Sequence, residues 1–280
     1  MSLSRKVLAL LALPLVAYVI YLAFLYAMQR SMLFPIATAE RYPYRGTLTP
    51  NAELVEAPVS FGKMRGVFLR GPQEKAPVVI YCHGNGEIVD YHLTTFQFVQ
   101  ALGVHVFLLE LPGYAGADGE PTLASIREVV VTAYDWLIKQ PLVDPARVIA
   151  MGTSIGGAPA AELSHHRAVR ALVVLSTFTS VADLAGGYYV PAWFVRDPFD
   201  TAQRLREFVG PVFIAHGRFD EMIPFAHGQM LARSARQSHF QAYDCGHNDC
   251  PYREPQFAAV LGEFLRTHGI LGATTMAGTP

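Results

Sequence analysis

The chain has 280 residues, ordinary for one large α/β domain. Hydrophobic residues make up 51% and charged residues 16%, against about 25% charged in typical globular domains, which argues against a disordered, solvating chain. A formal net charge of −1 argues against a nucleic-acid binder working through a basic face, and 3 cysteines exclude a disulfide-dense scaffold. The apolar excess must lie in a large buried core, a membrane segment, or both.

Residues 7–28 form 22 positions without a charge, interrupted only by Pro14. A helix of that length spans roughly 33 Å, close to the roughly 30 Å of a bilayer core. Arg5 and Lys6 precede it, Gln29 and Arg30 follow it, and Tyr26 falls at interface depth. The competing reading is a cleaved signal peptide, but its apolar region would be about 7–15 residues. The small-x-small site Ala37-Thr38-Ala39 also lies far downstream. The sequence therefore predicts an uncleaved membrane anchor over 1–30. Arg30, Arg41 and Arg45 balance Arg5 and Lys6, so the flanking charges do not set the orientation.

Residues 31–60 read as a polar connector with short extended pieces and Pro35, Pro43, Pro50 and Pro58. Strands are then predicted at Gly66–Arg70 and Val78–Cys82, a helix at Tyr91–Leu102 and a strand at His105–Leu111. A helix at Thr122–Lys139, a strand at Val148–Met151, a helix at Gly156–Ser164 and a strand at Ala171–Leu175 follow. The series ends with a strand at Pro211–Ala215, a helix at Phe225–Ala235, a strand at His239–Tyr243 and a helix at Pro255–Thr267. Strands alternating with helices imply βαβ units and a mainly parallel sheet. The α/β domain is expected over 61–268, with a cap at about 183–208 and a frayed tail over 269–280.

The segment Gly152-Thr153-Ser154-Ile155-Gly156 sits between a predicted strand and a predicted helix. That context fits a nucleophile elbow, with Ser154 on a sharp turn at the carboxyl edge of the sheet. A serine needs a base. Among the histidines that follow, only His247 lies in the loop between the last strand and the last helix, from where it can reach back over the sheet edge. The base needs an orienting carboxylate, and Asp220 follows the strand Pro211–Ala215. Chain order is then Ser154, Asp220, His247, the order found on α/β-hydrolase sheets. Backbone N–H groups of Asn85, in His83-Gly84-Asn85-Gly86, and of Ile155 are the candidate oxyanion donors.

These motifs occur together with Gln29-Arg30-Ser31-Met32-Leu33-Phe34-Pro35, Pro112-Gly113-Tyr114, Ser176-Thr177-Phe178-Thr179-Ser180, GRFDEMIP at 217–224 and GHND at 246–249. Over nearly its whole length the chain resembles the membrane-anchored α/β-hydrolase-domain serine hydrolases, whose eukaryotic relatives include protein depalmitoylases. By motif match the resemblance implies Ser154, Asp220 and His247 as a triad, with Asn85 and Ile155 as oxyanion hole. The chain departs from that pattern at Glu110-Leu111-Pro112, and it lacks the depalmitoylases' cysteine-rich lipid-anchor region.

The cap insertion carries Tyr188, Tyr189, Trp193 and Phe194, which either wall an acyl pocket or pack a cap helix. Cys245 and Cys250 flank His247. They form a small disulfide in an oxidising compartment and remain thiols in the cytosol. The expected activity is hydrolysis of an ester or thioester of a small-molecule or lipid-like acyl substrate, through an acyl-enzyme and without a cofactor. The expected setting is a membrane crossed once, with the side of the catalytic domain left open between cytoplasmic and a favoured extracytoplasmic placement, and no nucleic-acid partner. Peptide hydrolysis by the same residues, or a non-catalytic membrane-tethered binding protein, are the alternatives.

Overall fold

The computed structural model describes residues 3–36, 48–72 and 74–272, with side chains from Leu11 onward. The site at 37–39, Arg41, Pro43, Arg45, the side chains of Arg5 and Lys6, and the tail beyond 272 lie outside the described residues. The first element is one helix, α1 (Leu3–Leu33), continuous through Pro14. Its stretch Leu11–Leu33 contains an 18-residue window of mean hydropathy 2.1 and is long and apolar enough to cross a membrane. Leu11, Leu15, Val19 and Phe24 are exposed on it.

The strands are β1 (Ala52–Val59), β2 (Gly62–Leu69), β3 (Ala76–Cys82), β4 (His105–Leu109), β5 (Val143–Thr153), β6 (Ala171–Leu175), β7 (Val212–Gly217) and β8 (Ser238–Tyr243). They form one sheet in the order β1-β2-β4-β3-β5-β6-β7-β8. The first three in that order pair antiparallel, and the rest run parallel. Strands β3, β4, β6 and β7 are buried throughout, as a parallel sheet covered on both faces requires. Alternation divides their side chains between two cores: Val78, Ile80 and Cys82 face one, Val79 and Tyr81 the other.

The helices after α1 are α2 (Gln97–Gln100), α3 (Leu123–Leu137), α4 (Gly157–His166), α5 (Val181–Gly186), α6 (Thr201–Glu207), α7 (Phe225–Ser234) and α8 (Pro255–Thr267). Helices α3, α4, α6 and α7 cover one face of the sheet, α2 and α8 the other. In α3, Thr122 and Ser125 form a reciprocal capping box, and Ile126, Val129, Val130, Ala133 and Leu137 make the buried stripe.

Three expectations are corrected. Strand β1 lies inside the predicted connector. Exposed Leu54, Glu56 and Pro58 alternate with buried Val55 and Ala57, and Pro58 is tolerated because β1 is the sheet edge. The predicted helix over 91–102 shrinks to a 3-10 turn at Val89–His92 and the short α2. Between them Thr95 Oγ1 donates to the His92 carbonyl at 3.3 Å, one way a hydroxyl competes with helical bonding. Finally, Ala202 and Leu205 of α6 pack into the sheet core, so α6 covers the sheet and the cap ends before it.

Nor is the segment after the apolar run a loose tether. Phe34 is 2% exposed and shares a core with Ile155, Phe178 and Phe199. Burying a phenylalanine contributes about 2 kcal/mol. The Arg30 guanidinium meets the Asp197 carboxylate at 2.9 Å, and the other Asp197 oxygen accepts from the Leu123 N–H. Gln29 donates to the Phe194 carbonyl and accepts from the Arg196 N–H. Lower on the helix, the Tyr18 and Tyr21 hydroxyls donate to the carbonyls of Tyr189 and Tyr188. The helix thus runs along the cap as well as joining it.

Candidate active site

Strand β5 delivers Ser154 to a turn of 3-10 helix at Ser154–Gly156, from which α4 continues. Ser154 has φ 55°, a left-handed conformation that costs a side-chain-bearing residue energy. The flanking glycines explain how the chain closes there. A Cβ on Gly152 would stand 2.0 Å from the Gly156 carbonyl oxygen, and one on Gly156 would stand 2.1 Å from the Cys82 oxygen. The Thr177 hydroxyl donates to the Ser154 carbonyl at 2.6 Å and holds the turn from behind.

His247 reaches the same point from the loop after β8. Its Nε2 lies 2.9 Å from Ser154 Oγ, and its Nδ1 lies 2.7 Å from Asp220 Oδ2. Asp220, from the loop after β7, is buried and also accepts from the N–H groups of Met222 and Ile223. Burial raises its pKa, but hydrogen bonds from His216, His247 and the Ile223 N–H outweigh that and hold the carboxyl well below the usual range. An ionised Asp220 accepts from Nδ1–H, which leaves the Nε2 lone pair directed at Ser154. A disulfide joins Cys245 to Cys250, with their Cα atoms 5.2 Å apart, and closes the loop that carries His247.

The loop after β3 forms the facing wall. His83 Nδ1 bonds the Gly84 carbonyl at 2.9 Å, and its Nε2 lies 2.9 Å from Glu110 Oε1, both side chains fully enclosed. Burial works against the His83 cation, but the Glu110 carboxylate more than offsets it, and the pKa is raised. Glu110, where the chain departs from the family pattern, therefore anchors this loop, and its other oxygen accepts from the Val89 N–H. Glu87 accepts from the Gly84 N–H at 2.8 Å and pairs with Arg253 and His92. Burial raises the Glu87 pKa, yet His92, Arg253 and the Gly84 N–H bring it far below the ordinary value.

These elements enclose a cavity of ≈ 610 Å³, within the range of small-molecule sites. Ser154, His247, Asn85 and Ile155 all line it, and Phe178, Met222, Leu184 and Leu33 supply apolar walls.

A model of the alpha/beta hydrolase fold family matches residues 77–207. The solved alpha-beta hydrolase from Vibrio vulnificus is similar with a TM-score of 0.70 at 18% identity, over 86% of this chain and 92% of its own. The chain has the α/β-hydrolase fold. A thermophilic esterase, Est2 from Thermogutta terrifontis, shares that fold at TM-score 0.66 and 15% identity, over 84% of this chain and 99% of its own. In sequence, the protein bem46 of Schizosaccharomyces pombe is 26% identical over 287 residues, covering 94% of this chain and 92% of its own. An uncharacterized protein of Mycobacterium tuberculosis is 28% identical over 252 residues, covering 85% and 89%.

On this α/β-hydrolase sheet, Ser154, His247 and Asp220 lie in one hydrogen-bonded row, and Asn85 and Ile155 line the same cavity as Ser154. The four cap aromatics do not wall the cavity at Ser154. Tyr188, Tyr189 and Trp193 are 66%, 83% and 79% exposed, and Phe194 packs edge-on against Tyr26 of α1. Position within an insertion does not say which side faces the site, and here Tyr188 lines a separate groove against the helix while Phe194 packs on Tyr26. Sequence reasoning missed Glu87, Arg253, Tyr252 and Leu33 as cavity residues. Only Glu87 and Leu33 carried a signal, Glu87 by following His83-Gly84-Asn85-Gly86 and Leu33 by lying within the quoted segment 29–35. Among the described residues no group of three or more His, Cys, Asp or Glu side chains is placed to hold a metal ion.

Proposed function

We propose that the chain is a membrane-anchored serine hydrolase that cleaves ester or thioester bonds of acyl substrates. The observation that carries this reading is the unbroken hydrogen-bond chain from Ser154 Oγ through His247 to Asp220. Ser154 Oγ attacks the carbonyl carbon while His247 Nε2 takes its proton. The N–H groups of Asn85 and Ile155 stabilise the oxyanion. The leaving alcohol or thiol departs with the proton from His247. Water then loses a proton to His247 and attacks the acyl-enzyme, releasing the acid and restoring Ser154.

The anchor reading, with the span at 7–28 and the catalytic domain ending near 268, draws support from the docking of Phe34 and Arg30. Cleavage at 37–39 would remove Phe34, which is 2% exposed in the core beside Ile155. Fluorophosphonate labelling of the full chain and of Ser154→Ala tests the proposal. Labelling and p-nitrophenyl ester hydrolysis are expected in the unsubstituted protein, with a loss of about 10⁴-fold or more in the variant. An unsubstituted protein that neither labels nor hydrolyses would establish the non-catalytic binding protein instead.

A further inference from the structure

A second cavity, of ≈ 230 Å³, lies between the last turns of α1 and the cap. Leu25 and Met32 line it from the helix, Ala185, Val190 and Val195 from the cap. Leu33 and Leu184 line both this groove and the cavity that holds Ser154, so the two spaces adjoin. The groove is almost wholly apolar. Its Gln29 spends both ends of its amide on backbone groups of Phe194 and Arg196.

Its position along α1 points to what enters it. With residues 7–28 in the bilayer, Leu25 lies about 5 Å inside the end of the span and Met32 about 6 Å beyond it. The groove therefore crosses the membrane boundary. The backbone carbonyls of Tyr189 and Tyr188 accept from Tyr18 and Tyr21 of the same helix, and the rings of Tyr188, Tyr189 and Trp193 are exposed, as rings that favour the interface would be. An apolar groove that begins at hydrocarbon depth and adjoins the cavity of the nucleophile suits a chain already dissolved in lipid.

We propose that this groove takes the long acyl chain of a bilayer-resident ester or thioester, which passes sideways from the membrane so that its carbonyl reaches Ser154. The proposal rests on the serine-hydrolase reading. Each buried methylene changes affinity about fourfold, so the groove discriminates by chain length.

Full-length protein in phosphatidylcholine vesicles provides the test, with p-nitrophenyl acetate and p-nitrophenyl palmitate as substrates. Ala185→Trp fills the groove from a position that does not itself line the Ser154 cavity. It is expected to lower kcat/KM for palmitate at least tenfold and to leave acetate within twofold. Equal losses for both esters, or no loss for palmitate, would overturn the proposal. A hexadecyl fluorophosphonate with a diazirine at its chain end gives an independent reading on the unsubstituted protein. Attached at Ser154, it is expected to cross-link within 25–33 or 181–195, and cross-links confined to other segments would overturn the groove. If the unsubstituted protein neither labels nor cleaves acetate, the serine-hydrolase reading itself falls.

Discussion

The Arg30 guanidinium, at the end of the apolar helix, lies 2.9 Å from the nearly buried carboxylate of Asp197 in the cap. Asp197 also caps the backbone entering α3 through the Leu123 N–H. One ion pair thus ties the apolar helix, the cap and the sheet-covering layer. Arg30→Ala would leave a carboxylate 7% exposed without its cation. Because Arg30 itself is partly solvated, the expected cost is about 2 kcal/mol, below the range for a fully buried pair. Thermal unfolding in detergent should register a fall of roughly 5 °C. An unchanged midpoint would mean the pair contributes nothing.

Gly152→Ala places a Cβ 2.0 Å from the Gly156 carbonyl oxygen. Backbone cannot yield there without moving Ser154. We expect a destabilisation of about 1–3 kcal/mol and a fall in kcat/KM of about 100-fold, the scale of a misplaced reacting atom. Gly186→Ala serves as the control. Nothing lies within 4 Å of its added Cβ, so stability should stay level or rise and activity should not change.

Asp220 sets a pH dependence of stability. Its folded-state pKa is lowered, so its contribution is full above the ordinary aspartate value of about 4. It is lost as pH falls further, through the folded-state value. The difference in melting midpoint between the unsubstituted protein and Asp220→Asn should be constant from about pH 5 to 8 and shrink below about pH 4. A difference that widens on acidification would contradict the assignment. At neutral pH the same variant should lose about 10⁴-fold in kcat, because His247 is no longer held in its working tautomer.

Reduction should loosen the His247 loop. The Cys245–Cys250 disulfide closes a short loop, for which the chain-entropy relation gives about 2 kcal/mol. Dithiothreitol, or the double variant Cys245→Ser/Cys250→Ser, is expected to lower the melting midpoint by about 5 °C and kcat several-fold. The double variant should also become insensitive to dithiothreitol, which separates the loop effect from other thiol chemistry.

The parts legible in the sequence were those whose geometry demands particular residues. Gly152 and Gly156 are required by contacts near 2 Å, so the elbow around Ser154 announced itself, and strand order then pointed to His247 and Asp220. The near-continuous apolar strands β3, β6 and β7 were equally readable. Strand β1 was not, because an edge strand needs only alternate residues buried and Pro50 and Pro58 mimic a linker. The facing of Tyr188, Tyr189 and Trp193 was hidden for another reason. It depends on where α1 lies against the cap, a contact between residues about 170 positions apart that local pattern does not encode.

Phe34 and Arg30 also decide where the chain can be cut. A soluble fragment trimmed to begin at residue 37, just past the helix, would open a hole beside Ile155 and strip Asp197 of its counter-ion. The shortest well-behaved catalytic fragment should instead keep the last helical turn, from about residue 29, and replace only the apolar residues before it.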